Sequence, residues 1–429
     1  MPERRAKTAL CLLFAPLCAL AAMLVAPNPA RAEQVTLHWL EWWDGEWGND
    51  TMDALTQGFE KKTGIKVERT AVPWDNMYDL LIANAQGDAK YDVLGMEGCC
   101  FLTGVDKLGG VEPLGPYLER DKAFADSLTT LTVVKWRGQP MMVNWYIMPY
   151  SYVYNMDILD KAGQKPPKNW DEALTVSKAL SDSHVVNHGL GVTFGDSSLL
   201  YPMYYLFGSR LAQLGGRLYD DQGHAVFNSK EGVAALQWWK DLYKSGLVAE
   251  NSFGITWTQQ REDFATGKIA AMWGGPFEGT IAKQVDPKIR VAYPPAWCDK
   301  TCGYQWAGSG LAVSANSKHK QEAWEFIKYL LSDETSIYLT KAKSIPFATK
   351  AAVQSLADSQ DPILKQIPAM LTGDPTHNLF LAPTPDFEKL HRAFLEAFQQ
   401  VLQDKRQPQE ALDSVVAMWN EEIDKASKK

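Results

Sequence analysis

The chain has 429 residues, 46% of them hydrophobic and 22% charged, with a formal net charge of −8. That length is too great for one ordinary core and fits two domains, and the composition excludes a disordered chain. The acidic balance argues against nucleic acid and anionic membrane surfaces as partners.

Residues 1–32 differ from everything after them. Arg4, Arg5 and Lys7 precede an apolar run from Ala9 to Val25, and Ala30-Arg31-Ala32 gives a small-x-small cleavage signature. This predicts a secretory signal peptide cleaved near Ala32 and a periplasmic protein starting near Glu33. Neither Cys11 nor Cys18 has the small-residue context of a lipid-modified cysteine, so a free protein is expected. Losing four basic residues and Glu3 moves the net charge to about −11. Beyond residue 32 no apolar run is long enough to span a bilayer.

Val35, Leu37 and Trp39 alternate with Thr36, His38 and Leu40, which predicts a first β-strand. The stretch Trp39 to Gly48 then packs four tryptophans and three carboxylates into ten residues. Loops at that end of a strand are where α/β folds bind ligands. Indole faces beside carboxylates suit a polyhydroxylated ring, whose C–H faces stack while its hydroxyls donate to the acids. The same tryptophans equally suit a core. Asn49 or Asp50 is placed to cap a helix with Met52, Leu55 and Phe59 on one side, ending near Gly64. A strand from Ile65 follows, then a helix after Pro73-Trp74 carrying Met77, Leu80, Leu81 and Ala85. Tyr91 to Glu97 is a short buried strand ending in a polar loop. This β-α-β-α-β order implies a parallel sheet with right-handed crossovers.

Gly138 to Asn155 reads as a long extended segment containing Pro149, which is awkward in mid-sheet and marks a place where a strand leaves one domain for another. A new α/β pattern follows, with Asn169 capping a helix from Asp171 to Leu180. Residues 231–246 form a helix with Val233, Leu236, Trp239 and Tyr243 on one side and Gly246 as stop. Lys268 to Trp273 is a strand halted by Gly274-Gly275-Pro276, and Tyr304 to Ser314 is extended again. Helices are expected at 319–331, 387–404 and 408–425. Trp238, Trp239 and Trp324 are assigned to helix packing, with Trp74 and Trp257 undecided between packing and ligand.

Four cysteines remain after cleavage, Cys99, Cys100, Cys298 and Cys302, in an oxidising compartment. Three pairings are open. A Cys298–Cys302 bridge at a hairpin tip is geometrically easy and would leave Cys99 and Cys100 as adjacent partners, whose bridge needs a strained peptide. If bridged, that pair stiffens or lines a cleft beside Glu97. The spacing does not suit zinc, and His184 and His188 lack a third ligand. No metal or cofactor is expected.

The order of signatures resembles the family 1 extracellular solute-binding proteins of ABC importers, which include maltose-binding protein. The residues that carry it are Tyr91-Asp92-Val93, Gly138-Gln139-Pro140 through Tyr154-Asn155-Met156-Asp157, Ala162-Gly163 with Trp170-Asp171-Glu172-Ala173, and Gly215-Gly216-Arg217-Leu218. Phe264-Ala265-Thr266-Gly267-Lys268 through Gly274-Gly275-Pro276, Ala323-Trp324-Glu325-Phe326 and Ile345-Pro346 continue it. The resemblance implies an α/β fold of two lobes joined by a three-crossing hinge, with the ligand cleft between them. The lobes implied are 33–147 with 307–345 and 148–306 with 346–429. The crossings fall around Pro149, at Tyr304 to Gly308 and at Ile345 to Phe347.

Carried over residue by residue, the cleft positions are Trp42, Trp43 and Asp44 after the first strand, Glu97, and Asn144, Trp145 and Tyr146 at the first crossing. Trp273, Gly274 and Phe277 follow the Met272 strand, and Trp306 lies at the second crossing. Phe277 stands where relatives stack a sugar on tryptophan. The expected function is capture of a neutral mono- or oligosaccharide by a monomer that hands it to inner-membrane permease subunits with their ATPase. A polyamine or other cationic solute is the alternative, since aromatic boxes with acids also hold cations. A secreted glycoside hydrolase would need two carboxylates straddling a bond. No Gly-x-Ser-x-Gly, His-Glu-x-x-His or Walker motif is present, so no enzyme activity is expected.

Overall fold

The computed structural model describes residues 34–87, 90–195, 201–275, 278–292, 305–343, 345–360, 364–368, 379–380 and 383–427. The signal segment, Phe277, Cys298 and Cys302 lie outside the described residues. From Val35 onward the chain forms one compact unit.

Strand β1 (Thr36–Glu41) pairs in parallel with β2 (Lys66–Ala71) and β3 (Val93–Glu97). The helix Asn49–Thr63 buries Met52, Leu55 and Phe59 and stops at Gly64, whose φ of 78° only glycine adopts readily. Neither Asn49 nor Asp50 caps it. The cap position is Gly48, and the Asn49 amide oxygen instead accepts from Arg69. Asn169 does cap its helix, Trp170–Asp182, accepting from Glu172 N–H at 2.8 Å.

Strand β4 (Val133–Trp136) folds back on β5, which runs unbroken from Gln139 to Asn155. Along Val143–Tyr150 its antiparallel partner is β9 (Gln305–Val313), which pairs in turn with β3. From Ser151 its partner becomes β7 (Ile269–Gly274), beside β6 (His188–Gly191), and β8 (Val291–Ala292) pairs with its end. The sheet order is β2-β1-β3-β9-β5-β7-β6. Pro149 sits opposite Trp306, one residue before the last β9 pair. Its missing N–H is tolerated at the point where the strand changes partners. Two lobes therefore share β5, and β9 doubles the connection.

At the expected crossing, Ile345 to Phe347, the backbone pairs with β5 and with the segment before β4. Ile147 N–H donates to Pro346 O (3.0 Å), Ala348 N–H to Trp145 O (2.9 Å) and Thr129 N–H to Ala348 O (3.1 Å). Phe347 bridges to Tyr146 and Thr349 to Leu128. These backbone groups satisfy one another along the first-lobe part of β5, so the chain stays with that lobe. It then enters the helix Lys350–Ser355, which packs on Asp333–Lys343.

The first lobe is built on aromatic rings. Trp39, Trp43, Trp47, Trp145 and Phe347 interlock, with Trp43 edge-on to Trp145 at 5.0 Å and Trp47 edge-on to Trp145 at 4.8 Å. In the second lobe the helices Lys230–Lys244, Phe387–Leu402 and Pro408–Ser427 bury Trp239, Phe398 and Trp419. No helix among the described residues is long and apolar enough to cross a membrane.

Gly310 lets β9 lie against β5. A Cβ there would overlap the Val143 carbonyl oxygen and lie 2.5 Å from Asn144 Cα. Gly310→Ala is expected to cost at least about 1–3 kcal/mol, read as a lowered denaturant midpoint with an unchanged slope.

Candidate functional site

The end of β3 delivers Glu97 to the boundary between the lobes. Its carboxylate accepts from Ser309 Oγ of β9 at 2.9 Å and from the Cys100 thiol at 3.2 Å, and the Trp74 side chain bonds it as well. Ser309 in turn accepts from the Tyr146 hydroxyl at 3.1 Å. All these donors are neutral. Burial raises the Glu97 carboxyl above its usual range and the three side-chain bonds pull it back.

Glu46, in the short helix Asp44–Trp47, has no hydrogen bond or ion pair from its side chain among the described residues. It is half-buried, and enclosure pushes its carboxyl up to about 8, opposed by Arg261 and assisted by Glu278, Glu97 and Glu41. Arg261 and Glu278 belong to the second lobe. The guanidinium holds Glu278 through two bonds, 2.8 and 2.9 Å, so its charge is matched. Glu46 thus lies within electrostatic reach both of Glu97 and of the Arg261–Glu278 ion pair.

The aromatic side chains around these groups sort by exposure. Trp43 and Trp145 are fully buried in the first-lobe core, and Trp145 Nε1–H donates to Leu330 O at 3.2 Å. They back the site from behind. Trp42 is 4% exposed and lies over Gly95, where a Cβ would come within 2.9 Å of its ring. Trp273 and Trp306 are buried too, Trp273 edge-on to Tyr152 at 5.0 Å. Asn144 is tied by its amide to Leu131 O at 2.9 Å. Trp74 and Trp257 are instead half-buried. Trp74 neighbours Glu97, and Trp257 lies under Arg261 at 5.7 Å and beside Tyr205 at 6.1 Å. Tyr205 stacks on Tyr150 with centroids 4.4 Å apart. This tyrosine pair joins β5 to the π-helical segment Tyr201–Gly208.

Asp44 has a different setting from the one its position in the loop suggested. It accepts from Arg69 of β2 at 2.8 Å, as do Glu41 at 2.7 Å and Asp53 at 2.6 Å. Glu41 is fully buried, and burial raises it against the pull of Arg69. Three acids around one guanidinium make a structural clamp at the base of the loop. Gly274 leaves room for the Glu278 side chain, since a Cβ there would meet it at 2.5 Å. Reading the sequence missed Glu46, Tyr150, Tyr205, Arg261, Glu278 and Ser309, because each gains its meaning from a partner far along the chain. The Gly-Gly-Pro-Phe run before Glu278 was the available signal for that residue.

Cys99 and Cys100 are buried free thiols whose sulfurs lie 3.1 Å apart, so the expected bridge between them is not formed. Among the described residues, Glu97, Cys99 and Cys100 are the one group of three such side chains close enough to share a metal.

Residues 45–336 match the family model described as bacterial extracellular solute-binding protein. The diacetylchitobiose binding protein DasA of Streptomyces coelicolor is 28% identical over 349 residues, 78% of each chain. A solute-binding protein of Thermotoga lettingae, solved with alpha-D-tagatose, aligns with a TM-score of 0.77 at 23% identity, covering 90% of this chain and 99% of its own. Maltose-bound MalE3 of T. maritima aligns at 0.71 and 21% identity, covering 90% and 99%. At those identities the solved structures establish the likeness of fold, a mixed α/β chain of two lobes.

The folded chain holds the Glu46 proton to about pH 8, whereas the unfolded chain releases it near 4.5. Stability therefore falls as pH rises between those values, and Glu46→Gln is expected to flatten that slope in melting curves taken across the interval. Arg69→Met strands three acids, one fully buried, and is expected to cost about 3–5 kcal/mol by chemical denaturation.

Proposed function

Since the chain belongs to the bacterial extracellular solute-binding protein family, we propose that it captures a small carbohydrate between its lobes and delivers it to an ABC permease. The observation that carries this reading is the set of groups gathered at the lobe boundary. Glu97 accepts hydrogen bonds, Glu46 brings a carboxyl with no side-chain partner among the described residues, Arg261 donates, and Trp74 and Trp257 are half-buried. A sugar needs those two kinds of surface. Relatives named for, or solved with, a sugar support the same class. The ligand contacts proposed are Trp42, Glu97, Tyr146, Trp273, Gly274 and Phe277, with Glu46, Trp74, Trp257 and Arg261 added. Trp43, Trp145, Asn144, Asp44 and Trp306 hold the walls in place.

The lobes are proposed as 33–147 with 307–355, and 148–306 with the chain beyond 355. A solute bridging both lobes stabilises the closed form, so binding shifts the population toward it, and the permease distinguishes loaded from empty. The protein works as an exported, periplasmic monomer with no catalytic role. Its acids serve as hydrogen-bonding partners for solute hydroxyls, Glu97 as an acceptor and Glu46, which holds its proton to about pH 8, as a donor as well.

A cationic solute is the rival reading, since the donors that hold Glu97 among the described residues are neutral. A thermal-shift panel of sugars, polyols and polyamines separates the readings, because a tight ligand raises the melting temperature by mass action. Disaccharides are expected to shift it and polyamines not to; shifts with amines alone would refute the carbohydrate reading. Trp74→Ala and Trp257→Ala are each expected to weaken affinity about tenfold by calorimetric titration while leaving the melting temperature of the empty protein nearly unchanged.

A further inference from the structure

Cys99 and Cys100 are adjacent in sequence, buried, and placed where the two lobes meet. The loop after β3 carries them, and Tyr204, Tyr205 and Tyr219 of the second lobe lie within electrostatic reach of Cys99. Their sulfurs face each other at 3.1 Å. The Cys100 thiol donates to the Glu97 oxygen that Ser309 does not occupy, Oε2, while Ser309 holds Oε1. A metal held by this group would need the sulfurs further apart, since two Zn–S bonds of about 2.3 Å at a tetrahedral angle separate them well beyond their present contact. A disulfide needs the sulfurs to come about 1 Å closer, together with the change in the intervening peptide that a bridge between neighbours requires.

We propose that Cys99 and Cys100 are a redox modification site that governs the hydrogen-bonding capacity of Glu97. In the reduced form the Cys100 S–H fills one lone pair of Oε2. Oxidation by a small-molecule or protein disulfide joins the two sulfurs and removes both protons. The oxidant's S–S bond breaks, it takes two electrons, and the two protons leave on its thiols. Glu97 then loses a donor and presents a free acceptor to the cleft. The exchange takes place before the lobes close over the pair, because both thiols are buried afterwards and burial holds them protonated, which slows thiolate attack. An oxidising export compartment supplies the conditions.

This inference rests on the solute-capture reading for its effect on affinity, but the bridge itself does not. The exported full-length protein is incubated with oxidised glutathione, denatured in N-ethylmaleimide and mapped by peptide mass. The expected result is one peptide carrying Cys99 and Cys100 unalkylated and lighter by two hydrogens. Two alkylated cysteines, or bridges to Cys298 or Cys302, overturn the proposal. Calorimetric titration with diacetylchitobiose then compares the oxidised and reduced forms. The Cys99 thiol also reaches Oε2, at 4.0 Å, so oxidised protein and the double variant Cys99→Ala/Cys100→Ala, which lack both S–H donors, are expected to bind about three- to tenfold tighter than reduced protein and Cys100→Ser, which keep a donor. Cys99→Ser, unable to bridge, should bind alike with and without oxidant. Equal affinities across the set overturn the coupling to Glu97. Absence of any sugar binding refutes the carbohydrate reading, while the mass map still decides the bridge.

Discussion

The structure depends on one strand serving two sheets. Strand β5 gives its first half to β9 and the parallel sheet of β1 to β3, and its second half to β7. Each half is fixed by its own register, so the lobes are connected by backbone hydrogen bonds. Close pairing of β5 with β9 in turn requires Gly310, because any side chain there would strike the Val143 carbonyl. A continuous strand of this kind can twist or bend without losing its identity, which is what motion between two lobes demands. Part of the proposed site is carried by this pair and the strand beside it. Tyr146 and Tyr150 are on β5, Ser309 is on β9, and Glu97 is paired with Ser309 across the sheet.

Behind that strand pair the tryptophans fulfil a mechanical role. Trp39, Trp43, Trp47 and Trp145 fill the space between the first sheet and its helices, and large rings in edge-on contact resist rearrangement. A rigid first lobe lets a small change at the boundary become a rotation of the second. The arginine clamp at the base of the loop acts in the same direction. It ties Glu41, Asp44 and Asp53 to one guanidinium and fixes the start of the short helix that carries Glu46.

Much of the fold was legible in the sequence because it is written in local periodicity. Met52, Leu55 and Phe59 marked a helix, Asn169 a cap, and Pro149 a change of partner, and each holds in the structure. The site was legible only in part. Glu97 stands at the end of its strand, and the resemblance pointed to it. Trp43 and Trp145 were read as contacts because an indole that packs a core and one that meets a sugar have the same sequence signature; only exposure distinguishes them. The ion pair of Asp44 was hidden for a related reason. Its partner Arg69 is 25 residues away, and a loop without cations of its own gave no sign of one arriving from β2. Ile345 and Pro346 resemble a linker in sequence, and the backbone pairing of Pro346 with Ile147 and of Ala348 with Trp145 could not be read there because it joins segments far apart in the chain.

In the proposed function a solute closes two lobes around the groups Glu97, Glu46 and Arg261. Small-angle scattering during titration with the sugar that gives the largest thermal shift tests this most directly. The radius of gyration should fall saturably, with a midpoint equal to the calorimetric affinity, and Glu97→Gln should move both together. A radius that stays constant while the same sugar binds stoichiometrically would contradict it.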